Sequence, residues 1–347
     1  MRHGIVNCHL NNEGWTEGRI LRCAQNDKTG NLSLVTCHLS LVTFGGVSMT
    51  VGRFAPSPSG RMHLGNLFSF LLAWCAVRSE NGEMVLRMED LDPQRTSPEF
   101  AALIRRDLLA FGLSWDREVP CQSRRTDAYD AAFARLEARG LIYPCYCSRS
   151  QVHAASAPHL GQSEFVYAGT CRNLTPAQRA AQTRLPAWRL LVPDEEWSVH
   201  DGLQGDYTEL LSRDCGDFVL RRADGVYAYQ LAVVVDDADN GVTQVVRGRD
   251  LLASTPRQRY LFSLLGKPAP EYYHVPLLLA PDGRRLSKRD GDLDLAALLE
   301  RFTPEQIIGA LAHAAGLIDR REPISASELA AVFDWRKVKK EDIYLTL

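Results

Sequence analysis

The sequence predicts an α/β fold with a parallel, Rossmann-like sheet. Residues 51–55 form an apolar run of β type, and the prolines and glycine of residues 56–60 prevent regular structure directly after it. From Leu64 onward apolar residues recur at helical spacing, which predicts a helix over 67–79. A strand, a loop and a helix in this order outline a nucleotide site at the carboxyl end of a parallel strand.

The junction between this loop and the helix, His63-Leu-Gly-Asn66, is a candidate phosphate-binding segment. Free backbone N–H groups and the positive end of the helix dipole favour phosphate at such a junction. Gly65 can let a nucleotide approach the backbone closely, and His63 can donate a hydrogen bond to a phosphate. Alone, a His-x-Gly-x segment is a weak signal.

An acidic segment follows the next predicted strand, residues 84–88. It reads Glu89-Asp-Leu-Asp92 and is either a site for a substrate ammonium or cation, or a capped turn before the next helix. Ser97 and Pro98 predict the start of that helix. A further amphipathic helix is predicted over 126–139.

Three cysteines in a loop-rich stretch predict a structural zinc site. Cys145 and Cys147 are followed by Cys171, and thiolates in such a setting are typical zinc ligands. Zinc requires four ligands, and the chemistry of zinc alone would favour a histidine as the fourth. The sequence offers three candidates: His153, His159 and Tyr167. Buried thiols without a metal are the alternative.

A second strand end carries arginines. Residues 227–237 are a buried strand or helix that ends in acids, and residues 244–249 are a strand, with Asp250 predicted to cap the next helix. Arg247 and Arg249 emerge at the end of that strand, where they could bind a carboxylate through paired hydrogen bonds. The alternative is a set of salt bridges to nearby acids: Asp236, Asp237 or Asp239.

A cationic loop follows the predicted last strand, residues 274–279. Residues 284–289 read Arg-Arg-Leu-Ser-Lys-Arg, and four cations on a loop suit a polyphosphate whose charge rises during reaction. A solvated basic loop is the alternative. The sequence contains neither Gly-x-Gly-x-x-Gly nor the P-loop pattern, which disfavours both of those nucleotide-binding classes.

The composition is that of an ordinary globular protein, with 45% hydrophobic and 24% charged residues among 347. A net charge of -2 means that any RNA contact must use local basic patches. No run of 18 apolar residues occurs, so we expect neither a transmembrane helix nor a signal peptide. The nine cysteines, an odd number, indicate reduced thiols or metal ligands.

Both candidate phosphate segments together resemble the paired signatures of class I aminoacyl-tRNA synthetases, which hold ATP from opposite sides. Residues 53–60, Arg-Phe-Ala-Pro-Ser-Pro-Ser-Gly, resemble the more specific Arg-Phe-Ala-Pro-Ser-Pro-Thr-Gly segment of the glutamyl branch of that family. The likeness extends from residue 51 to about residue 300. The chain departs from the generic patterns at Asn66, Arg285 and Arg289, all of which the glutamyl branch tolerates.

The resemblance implies three sets of site residues. The implied glutamate contacts are Arg53, Phe54, Ala55, Pro56, Ser57, Glu89, Tyr229 and Arg247. The implied ATP contacts are His63, Gly65, Asn66, Ser287 and Lys288, with Mg²⁺ bound to the ATP and with His63 and Lys288 as the catalytic pair. The implied zinc ligands are Cys145, Cys147, Tyr167 and Cys171, which favours Tyr167 over the histidines. Within the first set, Arg53 would take the side-chain carboxylate and Glu89 the ammonium.

Only 58 residues, 290–347, follow Arg289, which is too few for the anticodon-binding region of a glutamyl-tRNA synthetase. This resembles a shortened paralogue that activates glutamate without tRNA and attaches it to queuosine in the anticodon loop of tRNA(Asp). The implied partners are ATP, L-glutamate and queuosine-containing tRNA(Asp), and we expect a cytoplasmic monomer. The alternatives are a glutamyl-tRNA synthetase charging the 3′ end of tRNA(Glu), a nucleotidylyltransferase of the same fold, and a non-catalytic RNA-binding paralogue.

The predicted domain organisation has five segments. Residues 1–48 repeat themselves crudely and show no amphipathic period, so we expect Met49 to be the true start, with a genuine disordered extension as the alternative. The remaining segments are 49–115 and 226–290 as two halves of a catalytic domain, 116–225 as a connective insert with the zinc site, and 291–347 as a short helical region.

Overall fold

The computed structural model describes residues 22–26, 32–36, 49–148, 150–151, 166–280, 283 and 295–345. The chain divides into two units, Met1–Ser48 and Met49–Leu347. In the first, strands β1 (Arg22–Asn26) and β2 (Leu32–Thr36) pair antiparallel. The second unit holds all the described residues of the predicted sites.

Strands and helices alternate along much of the second unit. Its strands are β3 (Val51–Phe54), β4 (Glu83–Leu86), β5 (Arg117–Glu118), β6 (Ile142–Cys145), β7 (Ala187–Leu190), β8 (Glu196–Asp201), β9 (Gly205–Leu210), β10 (Val219–Arg221), β11 (Gln244–Gly248), β12 (Glu271–Val275), β13 (Leu278–Leu279) and β14 (Ile343–Tyr344). Its helices are α1 (Leu64–Ser79), α2 (Pro98–Ala110), α3 (Thr126–Ala138), α4 (Pro176–Ala180), α5 (Leu211–Asp214), α6 (Tyr229–Asp239), α7 (Thr255–Leu264), α8 (Leu295–Leu299), α9 (Pro304–Ala315) and α10 (Ala326–Ala331).

Parallel strands from both halves of this unit lie side by side. Strands β3, β4 and β5 are parallel neighbours, and β11 and β12 form a second parallel pair. The backbone N–H of Thr243 donates to the carbonyl of Val51 at 2.9 Å and brings β11 beside β3. The strands thus follow the order β5-β4-β3-β11-β12, and the predicted α/β class with a parallel sheet is confirmed.

Helix α1 begins one turn earlier than the sequence predicts because a histidine serves as its N-cap. His63 Nδ1 accepts a hydrogen bond from the backbone N–H of Asn66, and the Asn66 side-chain oxygen accepts one from the backbone N–H of His63, each at 3.3 Å. This capping box satisfies two N–H groups at the start of the helix. The apolar residues Leu67 and Leu71 behind it are fully buried, which anchors the loop to the core.

The structure decides between two predicted alternatives and changes two other predicted elements. Residues 229–237 belong to helix α6, so the helical alternative holds, while residues 227 and 228 precede the helix. Asp250 caps no α-helix, because the chain turns at Gly248 into a 3-10 helix, Arg249–Ser254, and α7 begins only where Pro256 favours a first turn. The predicted last strand is two strands, β12 and β13, because Pro276 lies between them and cannot donate to a ladder.

The connective region contributes an antiparallel sheet in the order β10-β7-β6, and β8 pairs with both β9 and β12. Near the C-terminus, β14 runs parallel to β13, and helices α9 and α10 are packed into the same core as α1. None of the helices in the described part of the chain has the length and apolar character that crossing a membrane requires.

Candidate active site and metal cluster

A cavity of about 820 Å³ opens at the carboxyl ends of β3 and β11. Strand order reverses direction between these two strands, and open α/β sheets bind ligands at such a point. Ten of the predicted residues line the cavity together: Arg53, Ala55, Pro56, Ser57, Glu89, Tyr229 and Arg247 of the glutamate set, and His63, Gly65 and Asn66 of the ATP set. The fold therefore brings together segments that are far apart in sequence.

One predicted contact turns its side chain away from this cavity, and two others lie outside the described residues. The Phe54 side chain is fully buried and lies edge-on to Phe70 with ring centroids 5.4 Å apart, so only its backbone can face a substrate. Ser287 and Lys288 lie outside the described residues, and the second ATP segment stays a prediction.

Glu89 is held by a buried arginine that sequence reasoning missed. Arg87 donates from Nη2 to Glu89 Oε1 at 3.0 Å and from Nη1 to Asp237 Oδ1 at 2.5 Å. Burial raises the pKa of the Glu89 carboxyl above its usual value, although the charge of Arg87 acts in the opposite direction. The sequence signal was an arginine in an apolar strand, because a buried guanidinium requires acidic partners.

Arg53 approaches the cavity from β3. Its Nη1 donates to the carbonyl oxygen of Val246 at 3.3 Å, and its Nε lies 3.6 Å from Asp237 Oδ1. Burial lowers the pKa of Arg53, while Asp237 counteracts this effect. Asp237 makes its shorter contact with Arg87, and Arg53 lines the cavity.

Arg247 is fixed by neutral partners and not by the acids that the salt-bridge alternative named. Its Nε donates to His274 Nε2 at 2.9 Å, its Nη1 to Tyr229 Oη at 3.3 Å and its Nη2 to Thr255 Oγ1 at 2.9 Å. Its positive charge is therefore oriented without being neutralised by these three contacts. Arg249, predicted to emerge beside it, instead pairs with Asp342 at 3.0 Å.

The three acids of that alternative serve other arginines. Asp236 accepts from Arg125 Nε at 2.6 Å, and Asp239 accepts from Arg125 Nη2 at 2.7 Å. Asp237 contacts Arg87 and Arg53, as described above. These contacts join α6 to the segment after β5 and to Arg53, which lines the cavity.

The acidic segment after β4 is divided between local contacts and the cavity. Asp90 accepts hydrogen bonds from the backbone N–H and the hydroxyl of Ser123, at 2.8 and 2.7 Å. Asp92 accepts from the backbone N–H of Gln94 at 3.2 Å. These two acids are structural, whereas Glu89 lines the cavity.

The three predicted cysteines form a compact cluster that could hold a metal ion. The Sγ atoms of Cys145, Cys147 and Cys171 all lie within 4.8 Å of one another. Tyr167 Oη lies 3.4 Å from the Sγ of Cys145 and 3.7 Å from that of Cys147. It also accepts from the backbone N–H of Cys171 at 2.8 Å. Of the candidates for a fourth ligand, Tyr167 is therefore beside the thiols, while His153 and His159 lie outside the described residues.

Local structure explains how these four side chains meet. Cys145 ends strand β6, and Gly169, at a φ of 77°, turns the chain between Tyr167 and Cys171. Burial acts to raise the pKa of Cys145, yet hydrogen bonds with Tyr167 and with Arg189 hold it below its usual value. Burial raises the pKa of the Tyr167 phenol. The cluster thus combines a thiol whose pKa is lowered with a phenol whose pKa is raised.

The fold and the cavity define a class I synthetase catalytic domain. The profile of the family "tRNA synthetases class I (E and Q), catalytic domain" matches residues 49–341, and the chain belongs to this family. Crystal structures agree: a glutamate tRNA ligase from Elizabethkingia meningosepticum, in complex with its amino acid, is 26% identical with a TM-score of 0.74. That match covers 86% of this chain and 67% of the ligase chain.

Two similar proteins within the family are both named glutamyl-Q tRNA(Asp) synthetase. The glutamyl-Q tRNA(Asp) synthetase of Symbiobacterium thermophilum is 48% identical over 310 residues, which cover 85% of this chain and 95% of that protein. The protein of the same name from Neisseria meningitidis serogroup C is 47% identical over 300 residues, which cover 85% of this chain and 99% of that protein. The resemblance to the shortened glutamyl paralogue is thereby confirmed.

Proposed function

We propose that the protein activates L-glutamate with ATP, without tRNA, and transfers the glutamyl group to queuosine in the anticodon loop of tRNA(Asp). The observation that carries this proposal is that Arg53, Arg247 and Glu89 line one cavity, whose lining also contains Arg61 and Asp250. Glutamate bears two carboxylates and one ammonium, which Arg53, Arg247 and Glu89 complement in charge. The names of the relatives supply the queuosine-bearing acceptor.

Each cavity residue has a defined role in the proposal. Arg53 binds the side-chain carboxylate, Glu89 binds the ammonium, and Tyr229 and Arg247 complete the glutamate site. The loop residues 55–57 bring backbone groups to the same substrate. Arg53 and Arg247 come from different halves of the sheet, so glutamate would bridge β3 and β11.

The first turn of α1 is suited to ATP. Because His63 Nδ1 is the acceptor in the capping box, the neutral ring carries its proton on Nε2, where it can donate to a phosphate. A Cβ at Gly65 would lie 3.1 Å from the His63 ring, so the glycine keeps this approach open. Lys288 supplies a second charge to the phosphates in the proposal, and Mg²⁺ bound with ATP neutralises further phosphate charge.

Two transfers follow from this arrangement. A carboxylate oxygen of glutamate attacks the α-phosphorus of ATP, and pyrophosphate leaves with its electron pair. A ring hydroxyl of queuosine then attacks the carbonyl carbon of the glutamyl-adenylate, AMP leaves, and the hydroxyl proton passes to solvent. Positioning and fixed charge suffice for both steps, which we expect to take place in the cytoplasm on a monomeric enzyme.

The cysteine cluster is proposed to hold one structural zinc ion. Thiolates 2.3 Å from a tetrahedral zinc lie about 3.8 Å apart, and a thiolate and an oxygen ligand lie about 3.5 Å apart. The observed separations are 3.6 Å between Cys147 and Cys171 and 3.4 Å between Cys145 and the Tyr167 oxygen. These distances support Cys145, Cys147, Tyr167 and Cys171 as the ligands.

Ammonium binding by Glu89 should make glutamate affinity depend on pH. Because the pKa of Glu89 is raised by burial, this carboxyl takes up a proton at a higher pH than an exposed glutamate does. We expect the KM for glutamate to rise as the pH falls through that raised pKa, since a protonated carboxyl cannot balance an ammonium. ATP–pyrophosphate exchange measured across pH gives the profile. In Glu89→Gln the KM should be high at every pH, and an unchanged acidic limb in this variant would assign the titration to another group.

The acceptor is tested with labelled glutamate, ATP and three RNAs. These are queuosine-containing tRNA(Asp), the same tRNA without queuosine, and tRNA(Glu). Label on the first RNA alone is the expected result. Label on tRNA(Glu) that is independent of queuosine would refute the proposed acceptor and favour an ordinary glutamyl-tRNA synthetase.

A further inference from the structure

A buried imidazole contacts Arg247, a buried carboxylate contacts that imidazole, and neither group lines the cavity. His274 on β12 and Asp201 at the end of β8 are both buried, with 0% and 1% of their surfaces exposed. The ring Nδ1 of His274 lies 2.6 Å from Asp201 Oδ2, and its Nε2 accepts from Arg247 Nε at 2.9 Å. The three side chains therefore form a chain of hydrogen bonds that ends at the cavity.

We propose that Asp201 and His274 are positioning residues that hold the Arg247 guanidinium in its carboxylate-binding orientation. This inference rests on the proposed function, because it takes the partner of Arg247 to be a carboxylate of glutamate. Neither residue touches the substrate in this scheme. They act on the orientation of Arg247 through the tautomer of the His274 ring.

The hydrogen bonds determine that tautomer. A carboxylate can only accept, so the Nδ1 facing Asp201 carries the proton, and Nε2 is left as the acceptor that Arg247 requires. Burial together with the nearby guanidinium groups of Arg247 and Arg53 lowers the pKa of His274, which keeps the ring neutral, although Asp201 acts in the opposite direction. A neutral ring with this tautomer orients Arg247 without repelling it.

The hydrogen bonds around Asp201 determine which way the amide would face in Asp201→Asn. Asp201 Oδ1 accepts from three backbone N–H groups, those of Leu203 at 3.1 Å, Gln204 at 2.8 Å and His274 at 3.1 Å. In Asp201→Asn these three donors fix the carbonyl oxygen at the Oδ1 position, so the NH₂ group faces His274 Nδ1. The ring must then accept at Nδ1 and carry its proton on Nε2, where it opposes the N–H of Arg247.

The expected result for Asp201→Asn is a rise of about tenfold in the KM for glutamate, with the KM for ATP changed by less than about twofold. ATP–pyrophosphate exchange measures both constants. Histidine ¹⁵N NMR gives a second readout, in which the ring proton of His274 should move from Nδ1 to Nε2. The His274 signal is identified as the one that disappears in His274→Gln.

Two controls separate positioning from a general loss of stability. In the His274→Gln background, which has no tautomers, adding Asp201→Asn should leave the glutamate KM unchanged, because the interaction energy of a double-mutant cycle reports their coupling. Asp217→Asn alters another buried aspartate, one that accepts from Tyr143 and Val192 and does not line the cavity. It should lower the melting temperature without raising the glutamate KM.

Three outcomes would overturn the inference alone: an unchanged glutamate KM in Asp201→Asn, an equal rise in the His274→Gln background, or an equal rise in Asp217→Asn. Each requires that the wild-type protein shows glutamate-dependent exchange. Absence of that exchange in the wild type would instead overturn the proposed function, and this inference with it.

Discussion

Arg247→Ala is expected to lower kcat/KM for glutamate in ATP–pyrophosphate exchange by about thirtyfold or more. Removing one partner of a buried, hydrogen-bonded charge pair costs roughly 2 to 5 kcal/mol, and each 1.4 kcal/mol is about a factor of ten. Arg247→Lys should recover little, because a lysine cannot reproduce the separate bonds to His274, Tyr229 and Thr255. Steady-state exchange at varied glutamate, with saturating ATP, gives the number.

Arg249→Ala provides the matched control. The two arginines are two positions apart, but Arg249 is 41% exposed and pairs with Asp342. An exposed pair contributes on the order of 1 kcal/mol or less, so kcat/KM should stay within about threefold. Equal losses in both variants, or a loss in Arg247→Ala that falls on the KM for ATP, would remove Arg247 from the glutamate site.

Purified protein is expected to contain one zinc ion per chain, and Cys171→Ser is expected to lose it. Zinc in a site of this kind contributes on the order of 10 kcal/mol to folding, so the connective region should become sensitive to protease when the metal is absent. Metal analysis and limited proteolysis measure the two effects. Tyr167→Phe removes only the phenol oxygen and should keep zinc with lower affinity, which a chelator competition would detect.

Cys121→Ser is the control for this series. Cys121 is partly exposed and its Sγ contacts Ser123 Oγ at 3.4 Å, apart from the cluster. This variant should retain its zinc and its resistance to protease. Full zinc content in Cys171→Ser would show that the metal is bound elsewhere, and wild-type protein without zinc would refute the metal assignment.

The sequence predicts most of the cavity because parallel strands all end at one edge. Once residues 51–55 and 244–249 are assigned to parallel strands, Arg53 and Arg247 must lie at the same edge of the sheet. Glu89 is expected at that edge as well, because it comes directly after the predicted strand over residues 84–88. The cysteine spacing likewise predicts a cluster, since zinc ligands come in close sequence pairs. The first inference requires only the direction of the strands, and the second requires only the spacing of the cysteines in the sequence.

The partners of these residues were not predictable in the same way. Arg87, Asp201 and His274 act through buried contacts with residues distant in sequence, and no local pattern indicates which acid meets which base. The capping box of α1 was not predictable either. His63 is an unusual N-cap residue, and the role of Asn66 is evident only once its side chain is seen to accept from the backbone N–H of His63. Asp250 illustrates the reverse case: it is a favourable cap residue, but it lies in the first turn of a 3-10 helix and not at the N-cap of α7.

The hydrogen bond from Arg53 to Val246 joins residues 193 positions apart. A ribosome must therefore complete β11 before Arg53 and Arg247 can line the same cavity. During synthesis β3, α1 and β4 can form early, yet they hold Arg53 and Arg87 with Asp236 and Asp237 still untranslated. We expect the nascent chain to remain unable to bind glutamate until β11 is complete, and Arg53 and Arg87 to lack their partner Asp237 until α6 has been translated.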